Sequence, residues 1–140
     1  MKYQYDIITY LESDATLDTL LSSSANDSKI YPEIAPQDSS LPYIVYSVSD
    51  GVLDEILDEI RITFRIYSTT KSEAVNIANR LKSLLDKQDE IQNSFSSTDY
   101  WYYYSKIAYH ESLIDNVDKD KLIYIQVMIF NIKYKRKTWY

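Results

Sequence analysis

The alternation of residue types in residues 60–67 constrains the fold more than any other feature of the sequence. Isoleucine or phenylalanine occupies positions 60, 62, 64 and 66, and arginine, threonine or tyrosine occupies the positions between them. Because successive side chains of a strand point to opposite faces, this period of two predicts a strand with one buried face. A sheet built from such strands needs another layer to cover its apolar side.

Two segments carry the helical period that such a layer requires. Residues 3–22 place aliphatic side chains at helical spacing with acids between them, and we predict a helix that ends at the serines 22–24. Residues 71–87 are predicted as a second helix. Thr70 is followed by Glu73 at the spacing of a capping box, and a stripe of alanine, isoleucine and leucine follows.

Three further segments are predicted as strands, namely residues 43–49, 100–112 and 122–135. The last is apolar throughout its centre, which is typical of a central strand or of one covered by a neighbouring subunit. Prolines in residues 30–42 predict an ordered, extended loop. Residues 50–59 contain five acids and the only glycine, and they allow either a hairpin connection with a helical turn or a long loop.

These elements predict an α+β fold. The expected architecture is a mainly antiparallel four-stranded sheet with two helices packed on one face, in the order helix, strand, strand, helix, strand, strand. With 140 residues the chain is long enough for one core and short for two, so we predict a single domain over residues 1–140.

Composition and motifs argue against several classes of function. A net charge of −6 opposes general nucleic-acid binding, and the absence of cysteine excludes disulfides and thiolate chemistry. No apolar run approaches the roughly 20 residues that cross a bilayer, and residues 1–4 lack an apolar export signal. One glycine allows neither a nucleophile elbow nor a phosphate-binding loop. We expect neither an enzyme nor a cofactor, and no membrane partner.

Two features allow a binding function, but each has a plainer interpretation. The run Tyr100-Trp101-Tyr102-Tyr103-Tyr104 is compatible with stacking of bases or sugars, yet aromatic residues are also enriched in cores and subunit interfaces, which we favour. The alternative function is therefore a small-ligand or carbohydrate-binding module that uses this strand. His110 is the only histidine. A metal site there would need Glu111 and Asp115, so we expect an exposed or hydrogen-bonded histidine and no metal.

Residues 30–85 resemble the tail-completion proteins of long-tailed bacteriophages, a family that includes the tail-to-head joining and tail-terminator proteins. The likeness follows a first helix, as it does in the family. It rests on the following residues: Ile30-Tyr31-Pro32, Ala35-Pro36-Gln37, Pro42 to Tyr46, Arg61 to Tyr67, Thr70, Glu73-Ala74 and the apolar stripe to Leu85.

The resemblance implies a virion protein that is made in the host cytoplasm and acts at the head–tail junction. It implies a ring, usually of six copies, that caps the tail tube protein and meets the head connector or neck protein. DNA would touch it at most transiently in the channel. A ring needs contacts between different surfaces of adjacent copies, and exposed edges or arms provide them.

The candidate interface residues lie in the extended segment, in the acidic segment and near the C-terminus. They are Tyr31, Pro32, Pro36, Gln37, Asp54, Glu55, Asp58, Glu59, Lys135, Arg136 and Lys137. The acids form a solvated face, or they bind a cation or a basic partner. The basic and aromatic C-terminus contacts DNA, docks on an acidic neighbour, or simply keeps the protein soluble.

Overall fold

The computed structural model describes residues 2–22, 28–37, 39–53, 58–86, 100–118 and 121–136, some of them, such as 100–104, by their backbone alone. These residues form three helices and five strands. The helices are α1 (Lys2–Glu12), α2 (Ala15–Leu21) and α3 (Lys71–Leu85), and the strands are β1 (Ile30–Pro32), β2 (Tyr43–Leu53), β3 (Asp58–Ser68), β4 (Tyr100–Asp118) and β5 (Lys121–Arg136).

The strands form one mixed sheet in the order β1-β2-β3-β5-β4. The four predicted strands pair antiparallel, and β5 is internal as its apolar centre predicts. The α+β class is confirmed, but the prediction of four strands is wrong. Residues 30–32, expected in a loop, form β1, which runs parallel to β2. The N–H of Ile44 donates to the carbonyl of Lys29 at 2.9 Å, and the N–H of Glu33 donates to Tyr46 at 2.8 Å.

The prediction of one helix over residues 3–22 is also wrong, because α1 and α2 are separate. Asp14 has an extended backbone, with ψ near 115°, and its carboxylate accepts the N–H of Leu17 at 2.8 Å. The same carboxylate binds the guanidinium of Arg80 in α3 at 2.6 and 2.9 Å. A new helix therefore starts after Asp14, because the Asp14 carboxylate accepts a hydrogen bond from a backbone N–H in the first turn of that helix.

The helices cover one face of the sheet, as predicted, although there are three of them in the described chain and not two. The core combines alternate residues of β2, β3 and β5 with the apolar stripes of α1, α2 and α3. At its centre the rings of Phe64 and Phe130 meet edge to face, with 5.9 Å between their centroids. Ala74 and Ala78 are fully buried, in line with the close approach of α3 that their small size predicts.

The predicted start of α3 is confirmed, with one difference in its hydrogen bonds. Thr70 caps the helix by accepting the N–H of Glu73 at 3.2 Å. In a capping box the Glu73 side chain would return to the N–H of Thr70. Here it accepts the hydroxyl of Ser68 at 2.5 Å instead, and the Ser68 oxygen receives the Thr70 N–H at 3.3 Å. The Ser68 hydroxyl therefore bonds to both Glu73 and Thr70, and it connects the end of β3 to the start of α3.

We predict that replacing Ser105 by alanine raises the free energy of unfolding by about 1 kcal/mol, since an unbonded buried hydroxyl costs about this much. Ser105 is fully buried opposite Ile132, and its hydroxyl has no hydrogen-bond partner among the described residues. Urea denaturation followed by circular dichroism measures the change. Ser112, whose hydroxyl bonds to Gln126, is the matched control, because Ser112→Ala should lower stability. A clear loss of stability in Ser105→Ala would contradict the prediction.

Candidate assembly surfaces

One face of the sheet carries no helix from the described chain, and we call it the open face. It consists of the strand residues that alternate with the core positions, and one row across it joins Val45, Arg65, Val127 and Glu111 on four strands. Most of its described side chains are half-buried or exposed. A face of this kind, apolar along β5 and polar along β3, is suited to contact with another protein.

A group of three tyrosines lies at the β1 side of the open face. The ring centroids of Tyr31 and Tyr43 are 6.0 Å apart, and those of Tyr43 and Tyr67 are 5.0 Å apart. Burial raises the pKa of Tyr43, and its two tyrosine neighbours raise it further. The predicted interface residue Tyr31 is therefore half-buried and already packed within its own chain, which restricts it to the rim of any contact.

The end of β1 and the segment after it are exposed at the predicted residues Pro32, Pro36 and Gln37. Glu33 has φ near 64°, in the left-handed region, so the chain turns sharply after the strand. The turn leaves Ile34 with 81% of its surface exposed. Sequence reasoning missed Ile34. The available signal was an aliphatic residue between two prolines in a segment with no apolar period.

The two edges of the sheet differ in their capacity to pair with another strand. On β1 the backbone groups of Ile30 and Pro32 point away from β2, because the alternating residues Lys29 and Glu33 form the bonds to β2. Proline has no N–H, and the N–H of Ile30 is bonded to Ser28 Oγ at 3.2 Å. The other edge is β4, a strand of 19 residues. Proline on a short edge strand blocks strand addition, so β1 is closed, whereas β4 is long and contains no proline.

We call residues 109–118 and 121–124 of the β4–β5 hairpin the hairpin arm, and it has exposed apolar side chains on both sides of the sheet. Pairing with β3 ends at Tyr124, so the tip extends beyond the third strand. Tyr109 and Leu113 lie on the open-face side, and Ile114 and Leu122 on the helix side. Their exposed fractions are 45%, 42%, 63% and 46%. Sequence analysis predicted this strand but did not identify these side chains.

Polar side chains of the arm form hydrogen bonds with other side chains of the same chain. The hydroxyl of Tyr109 donates to the Glu111 carboxylate at 2.5 Å, and this bond raises the pKa of Tyr109. On the helix side, His110 Nε2 lies 2.6 Å from Oε1 of the buried Gln126. The expectation of an exposed, hydrogen-bonded histidine is confirmed. Among the described residues no group of three or more potential ligands is placed to hold a metal ion.

We call the surface between α3 and β4 on the helix side the trough. The two elements are linked by the N–H of Ile107, which donates to Asp86 at 3.3 Å. Because 3.6 residues make one turn, Lys71, Val75 and Lys82 fall on one flank of α3, opposite the flank where Arg80 meets Asp14. Since Arg80 on the opposite flank contacts the start of α2, we assign this flank to the wall of the trough and the exposed helix-side residues of β4 to its floor.

The acidic and basic candidate groups lie on neighbouring strands. The connection after residue 50 is the β2–β3 hairpin, which pairs as far as Leu53 and Asp58. Register places Asp58 beside Tyr134, and the half-buried Glu59 beside Lys133. Lys135 and Arg136 continue β5 opposite Trp101 and Tyr100. Three candidates, Asp54, Glu55 and Lys137, lie outside the described residues.

The aromatic run at the start of β4 does not keep the alternation that its sequence predicts. A register shift separates Tyr102, which pairs with Tyr134, from Tyr104, which pairs with Lys133. The side chains of the run are outside the described part of the structure, so the stacking function remains a prediction. Within the described residues, no helix is both long and apolar enough to span a membrane.

Comparisons with known proteins agree with this fold. The sequence model of the family described as "Tail completion protein gp17" matches residues 6–101, more than half of the chain. Fourteen chains of solved structures match. One belongs to "Virion of native gene transfer agent (GTA) particle", with a TM-score of 0.64, 14% identity and 94% of each chain covered. At this identity the likeness shows a shared fold. No curated protein matches the sequence.

Proposed function

Since this chain belongs to the tail completion protein gp17 family, and is thus a structural protein of phage tails, we propose that it forms a ring at the head-proximal end of the tail. The ring contains about six copies, which are joined by contacts between different surfaces of adjacent copies. It caps the tail tube and joins it to the head connector. The family is structural, and the proposed role requires no catalytic group and no cofactor.

The observation that supports a ring is the position of the exposed apolar side chains. Ile34 is exposed just after β1, whereas Leu113, Ile114 and Leu122 are exposed on the hairpin arm of β4 and β5, at the opposite edge of the sheet. Contacts between different surfaces of adjacent copies generate rings when the rotation closes. A chain with apolar surface at both edges of its sheet has the two different surfaces that such contacts need.

The partners follow from the same proposal. The tail tube protein meets one side of the ring, and the connector or neck protein meets the other. DNA passes through the channel and touches the ring only in transit, in keeping with a net charge of −6. Where neighbouring copies do not cover the arm and the open face, these surfaces are available to the two partners.

The proposal predicts that a phage lacking this protein yields filled heads and separate tails, with the titre at the background of the uncomplemented mutant. The protein supplied from a plasmid should restore joined particles. Electron microscopy of the lysate, with antibody labelling of wild-type particles, measures both joining and position. Joined particles at normal titre without the protein, or label at the distal tip of the tail, would contradict the proposal.

A further inference from the structure

The hairpin arm has a different chemical character on each of its two sides. On the open-face side β4 carries Glu111, Leu113 and Asp115 at alternate positions, all exposed, and we call these three the acidic strip. An apolar side chain between two acids is suited to a surface that presents an apolar residue between two bases. Asp115 has no ion-pair partner among the described residues, and Glu111 accepts only from the neighbouring Tyr109.

The trough wall on α3 has the complementary pattern. Lys71 and Lys82 are exposed with the half-buried Val75 between them, and neither lysine forms an ion pair among the described residues. Eleven residues of helix separate the lysines by about 17 Å, and four residues of strand separate the acids by about 13 Å. Flexible lysine side chains can span that difference. The exposed Ile114 on the trough floor adds apolar surface.

We propose that the acidic strip of one copy docks in the α3–β4 trough of the next copy. The inference rests on the ring of the proposed function and identifies a contact that builds it. Glu111 and Asp115 face Lys71 and Lys82 of the neighbour, and Leu113 packs against Val75 and Ile114. The contact joins two surfaces on opposite sides of the sheet, so it is heterologous, and repetition of it around an axis closes a ring.

Two other contacts are less favourable. If β4 paired with the β1 edge of a neighbour, β1 would have no free backbone donor for the contact, because Pro32 has no N–H and the N–H of Ile30 is bonded to Ser28. The acids could instead approach Arg65 in their own chain, since Glu111 lies in the same row of the open face, two strands away. The structure holds no such ion pair, and an internal pair would produce no link between copies.

Disulfide trapping tests the contact directly, because the chain has no cysteine of its own. Leu113→Cys and Val75→Cys lie on opposite sides of the sheet, so a disulfide between them must join two copies. The variant carrying both should give, on oxidation, a ladder of multimers on a non-reducing gel. The matched control combines Leu113→Cys with Thr19→Cys, an exposed position on α2, and should give no ladder.

Charge reversal tests the electrostatic part of the contact. Glu111→Lys with Asp115→Lys, or Lys71→Glu with Lys82→Glu, should each reduce the ladder by about tenfold or more, because like charges then face each other. An equimolar mixture of these two variants should restore it, since every contact in an alternating ring pairs opposite charges. Arg61→Glu with Arg65→Glu changes the net charge as much as the lysine variant does, but on β3, outside both the acidic strip and the trough, and should leave the ladder intact.

The results separate this contact from the proposed function. The proposed contact would be overturned if oxidation gave no ladder in concentrated purified protein and none in particles assembled from the double-cysteine variant. Dimers from Leu113→Cys alone, without a ladder, would also overturn it in favour of a symmetric pair. Labelling at the distal tail tip together with a ladder would overturn the head-proximal position and support the contact.

Discussion

Replacement of Phe64 by alanine is expected to lower the free energy of unfolding by about 3–5 kcal/mol, the usual cost of removing a buried phenylalanine ring. Phe64 is fully buried at the centre of β3, and its ring meets Phe130 edge to face. The buried apolar side chains of the helices hold these helices in place above the sheet. The cavity left by removal of the Phe64 ring can therefore collapse only partly. Urea denaturation monitored by far-ultraviolet circular dichroism measures the loss.

A variant on the same strand provides the control. Tyr67→Ala removes a half-buried ring from the open face and should cost clearly less than Phe64→Ala. The double variant of Phe64 and Phe130 should show a coupling of about 0.5–1.5 kcal/mol for the aromatic pair. A loss below about 1 kcal/mol for Phe64→Ala would place that residue outside the core.

Replacement of Asp14 by alanine should lower the free energy of unfolding by about 1–3 kcal/mol, because it removes both a helix cap and an ion pair. The Asp14 carboxylate bonds to the N–H of Leu17 and to the guanidinium of Arg80, and only 14% of its side chain is exposed. Asp14→Asn is the matched control. Asparagine caps a helix well but carries no charge, so it should lose only the ion-pair part.

The contribution of Asp14 depends on pH in a defined direction. The hydrogen bond from Arg80 is the main cause that lowers the pKa of Asp14 below its ordinary value of 3.8. The unfolded chain therefore takes up the proton first as the pH falls. The stabilisation is fully present above the ordinary pKa and disappears as the pH falls through the folded-state value. The stability difference between wild type and Asp14→Asn should shrink between about pH 5 and pH 2, and a constant difference would contradict this assignment.

The sequence predicts the parts of the fold that depend on periodic burial. The alternation at Ile60–Tyr67 identifies a strand, and the stripe from Ala74 to Leu85 identifies α3, because both patterns repeat over many residues. The break at Asp14 was missed although the spacing indicates it: Leu11 and Leu17 are six residues apart, about 600° at 3.6 residues per turn, so both could not be buried on one face of a continuous helix. The break depends on Arg80, which is 66 residues away in the chain and contacts Asp14 only in the folded state.

The candidate surfaces are less predictable, because exposure depends on the ends of neighbouring elements. Leu113 and Ile114 have the sequence character of core residues, and they are exposed because β4 is the edge strand and continues past β3. Likewise β1 forms because β2 offers it a free edge, which no local pattern in Ile30–Pro32 reveals. The prolines that suggested a loop are compatible with a strand whose outer edge needs no donor.

The closed edge at Pro32 also affects how the protein behaves at high concentration in an infected cell. Endless fibres built from edge-to-edge sheets require every subunit to offer backbone pairing sites at both margins. Along Ile30–Pro32 this polypeptide offers no free backbone donor, so edge-to-edge growth through β1 is blocked. That asymmetry between the two edges lowers the tendency of this phage tail protein to aggregate through β1.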